Sequence, residues 1–308
     1  MNAFSESNQA KVSIIILNWN GLDDTIECLQ SLKKITYPNY ELILVDNGSA
    51  GNDVQVLKDR FANSIHIIEN DKNYGFSEGN NIGIRYALSG EAKYVLLLNN
   101  DTTVAPDFLS ELLNVAEMDP KIGLIGPKIH FYHEPNRIYF AGGKISFLSR
   151  SSSRGWNTID QGQFDKVDRV DFISGCCMLI KKSVFDSIGL LDPIYFFSLE
   201  DVDLSLRAVQ AGFSIVFVPN SKIWHKAYRS GIKNPRIPYY TARNAVILAR
   251  RHFLVFRKAA VRAVIVTMIE LVIFAIRARN LNIFLMMVNG LRDGLTTNLK
   301  LSRVRRIT

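Results

Sequence analysis

Cysteine is scarce in this chain: Cys28, Cys176 and Cys177 are the three among 308 residues. Two are adjacent, and the set has neither a disulfide framework nor a zinc-ligand spacing, so packed, reduced thiols are expected. No internal repeat or low-complexity tract is present, which excludes solenoid and linker-like architectures. The opening MNAFSESNQA is polar and lacks a signal-peptide core, and with the thiols this leads to the expectation of a cytoplasmic setting. Glycine-rich phosphate loops are missing. No GxGxxG follows the first apolar run and no GxxxxGK[ST] occurs, which argues against the usual dinucleotide and P-loop sites. Long unbroken apolar runs are missing too. The stretch Lys258 to Arg279 is interrupted by Arg262 and Glu270, each costing about 2.5–3.5 kcal/mol near a bilayer centre. A transmembrane span is therefore not expected there.

What is present is an apolar content of 47%, enough for one large core or two smaller ones. The net charge of +8 is unevenly spread. From Lys226 onward there are 17 Lys and Arg against two acids, Glu270 and Asp293, a net of +15. The preceding residues carry 20 Lys and Arg and 27 acids, a net of −7. A mildly acidic globule is thus followed by a strongly basic, helical region. Such a region seeks phosphate in lipid headgroups or nucleic acid. Its aromatic and apolar content suits an anionic membrane surface, so a helix lying in the interface is expected and nucleic acid is not. A helical bundle packed on the globule, or a contact between copies in a homo-oligomer, explains the same pattern.

The organising stretch is Tyr94 to Val104. An apolar run, Tyr94 to Leu98, breaks off at Asn99-Asn100-Asp101, as a buried strand does at the carboxyl edge of an open α/β sheet, where such sheets bind ligands. Val12 to Leu17 ends likewise at Asn18-Trp19-Asn20-Gly21, and Glu41 to Val45 at Asp46-Asn47-Gly48-Ser49. A further strand is expected over 64–68, with helices over 23–32, 54–61 and from Ser77 to about Leu88. Strand alternating with helix four times argues for an α/β fold with a mostly parallel, doubly wound sheet. One polar strand ending is ordinary turn chemistry; three alike are better explained by one ligand.

Beyond a helix over 106–118 and a strand at 122–125, residues 129–171 are irregular. They include a polar segment, 149–162, that reads as a binding loop or a solvated excursion. Strand character returns over 167–180. Glu200-Asp201 opens a helix reaching about Ala211. Pro219 is expected to turn the chain between a strand at 215–218 and Ile223-Trp224-His225. After Pro238 three helices are expected, over 239–256, 258–279 and 283–301.

Several of these residues offer chemistry. Asp101 could cap a helix. It could equally hold a hard cation, which needs only one or two carboxylates when substrate phosphates supply the rest. His225, a structural residue on the bland reading, is also a possible second ligand for Mn²⁺-like ions. Glu200 and Asp201 sit where a helix dipole favours negative charge. That explains an acid cluster, and it would also keep Asp201 ionised for general-base work. Asp46 could accept hydrogen bonds from a base or ribose, and the Asn73 to Ser77 loop enters a helix whose N-terminus can approach phosphate.

In order, VSIIILNWNG, ELILVDNGS, NYGFSEGNNIGI, YVLLLNND, GCCMLIKKSVFDSIGLLD, FFSLEDVDLSLRA and VPNSKIWH resemble the family-2 inverting glycosyltransferases, in particular the bacterial rhamnosyltransferase-like branch that builds cell-surface polysaccharides. The resemblance runs from about Lys11 to His225. It implies a GT-A fold. Asp46 would contact the nucleotide base, and Asn18, Asn20, Asn73, Gly75 and Asn80 would line the nucleotide site. Asn99-Asn100-Asp101 stands in the family's DxD place, with Asn99 replacing the first acid and Asp101 binding Mg²⁺ or Mn²⁺. Asp201 would be the base of the ED motif beside Glu200, and His225 the metal-binding histidine of some members.

Four regions are implied: a polar tail (1–10), a nucleotide-sugar-binding half (11–128), an acceptor-binding and catalytic half (129–237) and a basic, membrane-associating helical tail (238–308). The implied donor is a dTDP- or UDP-sugar, rhamnose among the candidate sugars. The implied acceptor is a glycan or lipid-linked hydroxyl at the inner face of the cell membrane. Two other classes stay open: a nucleotidyltransferase of related topology, which would want a basic, Gly-rich loop that Asn18 to Gly21 lacks, and a non-catalytic, membrane-bound scaffold.

Overall fold

The computed structural model describes residues 9–61, 63–145, 151–227, 236–252, 269, 273 and 281–299. The first half is built as expected from apolar runs linked by amphipathic helices. Strands β1 (Val12–Asn18), β2 (Tyr40–Asp46), β3 (His66–Glu69) and β4 (Tyr94–Asn99) alternate with helices α1 (Leu22–Leu32), α2 (Asp53–Phe61) and α3 (Gly75–Leu88). All four strands are parallel, in the order β3-β2-β1-β4. The chain moves outward from β1 to β3 and then returns to the other side of β1. The crevice between β1 and β4 is therefore the topological switch point at which open sheets take ligands. Helix α3 lies close on β1 because Gly79 and Gly83 lack side chains. A Cβ at either would come within 2.8 Å of Leu17 or 2.7 Å of Ile15. Glycine in a helix costs about 1 kcal/mol relative to alanine, which the close packing offsets.

The second half departs from a purely parallel sheet. After β5 (Thr102–Val104), α4 (Phe108–Ala116) and β6 (Ile122–Phe131) come five short strands: β7 (Arg137–Phe140), β8 (Gly143–Ile145), β9 (Ser151–Ser153), β10 (Thr158–Ile159) and β11 (Asp168–Arg169). Strand β12 (Cys177–Lys181) inserts antiparallel between β4 and β6. Helices α5 (Lys182–Ile188) and α6 (Glu200–Gln210) lead to β13 (Ser214–His225), parallel to β6 and antiparallel to β5. The result is an eleven-stranded mixed sheet, mostly parallel at its centre. The last two described helices are α7 (Ile237–His252) and α8 (Leu281–Thr296).

One expectation is corrected. Pro219 does not turn the chain. The register of β13 against β6 steps from Val218↔Pro127 to Lys222↔Lys128, so Pro219 to Ser221 form a bulge in one continuous strand, a place where proline costs no ladder bond. The described part of the polar segment at 149–162 is largely exposed but ordered by short strand pairings. Strand β9 pairs with β8 and β10 with β7. Beneath them Lys128, 1% exposed, places Nζ 3.0 Å from Asp160 Oδ2 and 2.5 Å from Asp165 Oδ1. Burial works to raise the Asp160 carboxyl, but hydrogen bonds from His130 and Lys128 overcome it and hold its pKa at about 2. A buried ammonium without such partners would be strongly destabilising, so the loop and the lysine hold each other in place. The helix expected over 258–279 lies outside the described residues, apart from positions 269 and 273. Among the described residues no helix is long and apolar enough to cross a membrane.

Candidate active site

The parallel register puts Asn18 opposite Asp46, and Leu17 opposite Asn99. The three polar strand endings thus share one edge. Asn18 is fully buried beneath it. Its amide nitrogen donates to Asp46 Oδ1 (2.7 Å), Asp53 Oδ2 (3.1 Å) and Ser49 Oγ (3.2 Å), while its oxygen accepts from Thr25 Oγ1 (2.9 Å). Asp46 also accepts from the Ser49 hydroxyl (2.7 Å) and the Ser49 N–H (3.0 Å). Asn20 takes a left-handed conformation (φ +51°) and accepts from the Ala50 N–H at 2.8 Å. It clips the first polar loop to the second.

Asn47 was not singled out by sequence reasoning, although it directly follows Asp46. Its buried amide donates to Asn73 Oδ1 and the Gly75 carbonyl (both 3.1 Å), and its oxygen accepts from Asn70 Nδ2 (3.0 Å) and the Tyr74 N–H (3.1 Å). Asn73 accepts from the Gly75 N–H at 2.7 Å. Gly75 is left-handed (φ +79°), and a Cβ there would lie 2.5 Å from the Phe196 carbonyl oxygen; only glycine fits. Asn80 is buried and donates to the Phe76 carbonyl (2.9 Å). Asn18, Asn47, Asn73 and Asn80 thus spend their hydrogen bonds shaping the floor and rim of the crevice.

Beside β4, Asn100 donates to Thr25 Oγ1 at 2.9 Å. Asp101 is 2% exposed, and among the described residues the His225 imidazole is the hydrogen-bonding side chain its carboxylate faces. The nearest opposite charge is His225, whose Nε2 lies 3.1 Å from Asp101 Oδ1; the two meet because β13 pairs with β5 at His225↔Thr102. A buried carboxylate compensated by one imidazole is costly to hold, and such an arrangement is suited to a cation. Burial works to raise the Asp101 carboxyl, but His225 and Lys226 overcome it and hold it below the ordinary value. For His225 burial pulls the other way, and Cys176 and Asp101 together hold the imidazole well above its usual value. Lys226, another residue the sequence reading passed over, donates its N–H to the Asp101 carbonyl (2.9 Å) and reaches Asp24 and Glu27 (2.6 and 2.5 Å). This ties the end of β13 to α1. Among the described residues no group of three or more His, Cys, Asp or Glu side chains could hold a metal. Any ion here rests on Asp101 and His225, with the ligand completing its shell, which is the usual manner of Mg²⁺ and Mn²⁺.

Across the crevice stands the acid pair. Asp201 Oδ2 accepts from the Gly175 N–H at 2.9 Å, and Oδ1 from the Val202 N–H at 2.8 Å. Burial raises both carboxyls, Asp201 modestly and Glu200 well above its ordinary value, the latter helped by the neighbouring Asp201 charge. Among the described residues Glu200 Oε2 has no hydrogen-bond partner. Of the two, Asp201 has the two N–H donors that favour its charged form, and Glu200 is pushed up the further. The turn ahead of α6 is costly. Phe196, Ser198 and Leu199 are left-handed (φ +58°, +75°, +70°), at about 1–3 kcal/mol each for residues with a Cβ. Gly175 and Cys176 link the two sides, because β12 enters the sheet antiparallel at this edge. Gly175 holds Asp201, and the next residue accepts from the Asn99 N–H at 2.9 Å and sets its thiol beside His225.

An open sheet with its switch-point edge at β1 and β4, a central antiparallel insertion and Asp101, His225, Glu200 and Asp201 gathered at that edge has the GT-A glycosyltransferase architecture. The fold has a close parallel in the crystal structure of GalNAc-T7 with UDP, GalNAc and Mn²⁺ (TM-score 0.60, 20% identity, 71% of this chain and 44% of that one). The sequence model of glycosyl transferase family 2 matches residues 13–189, more than half of the chain, and the chain belongs to that family. Its relatives place it in the rhamnosyltransferase-like branch. They include the N-acetylglucosaminyl-diphospho-decaprenol L-rhamnosyltransferase of Mycobacterium tuberculosis (27% identity over 73% of this chain and 79% of the relative) and the dTDP-rhamnosyl transferase RfbF of Shigella flexneri (25% identity over 70% and 72%).

Proposed function

We propose that this enzyme moves a hexose, with rhamnose first among the candidates, from a nucleoside-diphosphate sugar to a hydroxyl of a lipid-linked or glycan acceptor in cell-surface polysaccharide synthesis, with inversion at the anomeric carbon. The observation that carries the reading is the Gly175-Cys176 link. It ties Asp201, read here as the base, and the buried Asp101–His225 pair to the same edge of the sheet. The nucleotide lies along the edge of β1 and β2, with Asp46 accepting from the base and Asn18, Asn20, Asn73 and Asn80 shaping its bed. The Gly75 loop lets the ligand approach backbone closely.

Asp201 accepts the proton of the acceptor hydroxyl as its oxygen bonds to the anomeric carbon. The bond from that carbon to the diphosphate oxygen breaks on the opposite face, and the electron pair leaves with the diphosphate. Asp101 and His225 would hold a divalent ion, which, when bound, neutralises charge growing on the diphosphate. Burial and the neighbouring Asp201 push the Glu200 carboxyl up, which favours its neutral form beside the base. The relatives' names point to dTDP-linked donors and polyprenyl-diphosphate acceptors. A lipid-linked acceptor and the basic tail support a position on the anionic inner face of the membrane, which flotation with anionic vesicles would contradict if the protein stayed in the dense fraction. The direct test is a transfer assay with dTDP-rhamnose, UDP-hexoses and GDP-mannose on a polyprenyl-diphosphate sugar. Transfer from dTDP-rhamnose is expected to exceed the others by at least about tenfold. Transfer from none of them, with the donors still bound, would refute the activity.

A further inference from the structure

The left-handed turn before α6 must be held by something outside itself, because such conformations persist only where their surroundings over-determine them. What holds it is helix α7, which lies beyond the family-matched residues and within the segment whose basic character points to lipid. Asn244 is fully buried. Its amide nitrogen is 2.8 Å from each of three carbonyl oxygens, those of Tyr195, Phe197 and Ser198, and shares its two N–H bonds among them. Arg243 Nη1 donates to the Ile194 carbonyl at 2.7 Å. The remaining carbonyl, of Phe196, accepts from the Phe76 N–H at 2.6 Å. Five consecutive carbonyls, 194 to 198, are thus accounted for: four by α7 and one by α3. The Tyr240 ring stacks on Phe196, centroids 5.0 Å apart and planes within 14°. At the far end of α7, Arg251 reaches Asp192 (2.5 Å) and His252 reaches Asp203 (2.8 Å). The helix therefore grips the residues before the turn and the helix after it.

We infer that Asn244 is a positioning residue for the reaction. By fixing Tyr195, Phe197 and Ser198 it sets the direction in which α6 presents Asp201 to the acceptor hydroxyl. The inference rests on the reading of Asp201 as the base. It gives the first helix of the basic tail a part in catalysis independent of any contact with lipid.

The test uses the full chain, a detergent-solubilised short-chain acceptor and three variants: Asn244→Asp, whose carboxylate cannot donate to carbonyls, Tyr240→Leu, and Asp201→Asn as reference. Asn244→Asp is expected to lower kcat by about 10- to 100-fold, the scale of a misplacement of an ångström, with the donor KM and calorimetric donor affinity within about twofold. The acid limb of its kcat profile should move to higher pH, as Asp201 loses alignment with the Gly175 and Val202 N–H donors. Tyr240→Leu, at a half-buried position, should give the same pattern at about a third to a tenth of wild-type kcat even if Asn244→Asp fails to fold. Wild-type kcat in a folded, donor-binding Asn244→Asp protein would overturn the inference while leaving the base reading intact. So would a fall in kcat matched by an equal fall in donor affinity. Substantial turnover by Asp201→Asn would instead remove the base reading, and the positioning role with it.

Discussion

The two walls of the crevice are held in different ways. On the nucleotide side, Asn18, Asp46 and Asn99 stand where three adjacent parallel strands stop, and their spacing follows from register. On the acceptor side, Asp201 stands at the end of a turn with three left-handed residues, held by a helix whose Asn244 is 46 to 49 residues further along the chain. The first wall is a by-product of making the sheet. The second is assembled after it, from tertiary hydrogen bonds with no local preference behind them. On the proposed function the sheet-held wall binds, a task that tolerates small errors through hydration and ligand adjustment. The turn-held wall would then direct a proton transfer, where tenths of an ångström matter.

Breaking each wall separately should give opposite signatures. The largest effect is expected for Asp201→Asn: loss of about three orders of magnitude in transfer rate, with donor affinity unchanged by calorimetry. A variant within tenfold of wild type would mean that the acceptor wall carries no base. Asp101→Ala should fail in the other sense, with the metal-dependent part of donor affinity gone. Equal donor affinity with and without Mn²⁺ in the wild-type protein would show that this wall does not use a cation.

A smaller effect sharpens the same wall. Because His225 is held well above its ordinary value beside Cys176 and Asp101, a metal ion must displace its proton. Mn²⁺ affinity should therefore rise with pH until the imidazole's own pKa is passed, with about one proton released per ion. Calorimetry in buffers of differing ionisation enthalpy reads that proton, and a pH-independent affinity would contradict the assignment. The smallest effect is expected for Glu200→Gln, which copies the protonated acid and should retain turnover within about fivefold. A loss comparable to Asp201→Asn would reverse the roles within the pair.

The same contrast explains how much could be read from residues alone. Strand ends after apolar runs are legible because burial and period fix them, so β1, β2 and β4 and their polar endings came out in place. The antiparallel insertion of β12 was not legible. Strand–helix alternation implies parallel pairing, and nothing in GCCMLIK marks its direction. Pro219 was read as a turn because its missing N–H argues against a ladder, yet pairing of β13 with β6 on both sides of the bulge carries the strand through. Lys226 and Asn244 were passed over because a lysine after a strand and an asparagine in a basic helix look like solvated residues. Their partners, Asp24 and the Tyr195 carbonyl, are 202 and 49 residues away.

Helix α7 is itself seated on α8 through Gly290 and Gly294, where a Cβ would come within 2.4 Å of the Tyr239 carbonyl and 2.6 Å of the Arg243 carbonyl. The second of these glycines therefore lies against the backbone of the residue next to Asn244. Directed evolution for a new acceptor would do well to leave this crossing untouched and to randomise the crevice rim instead. On the positioning role inferred for Asn244, a methyl group added at Gly294 would be felt as a change in the aim of a carboxylate.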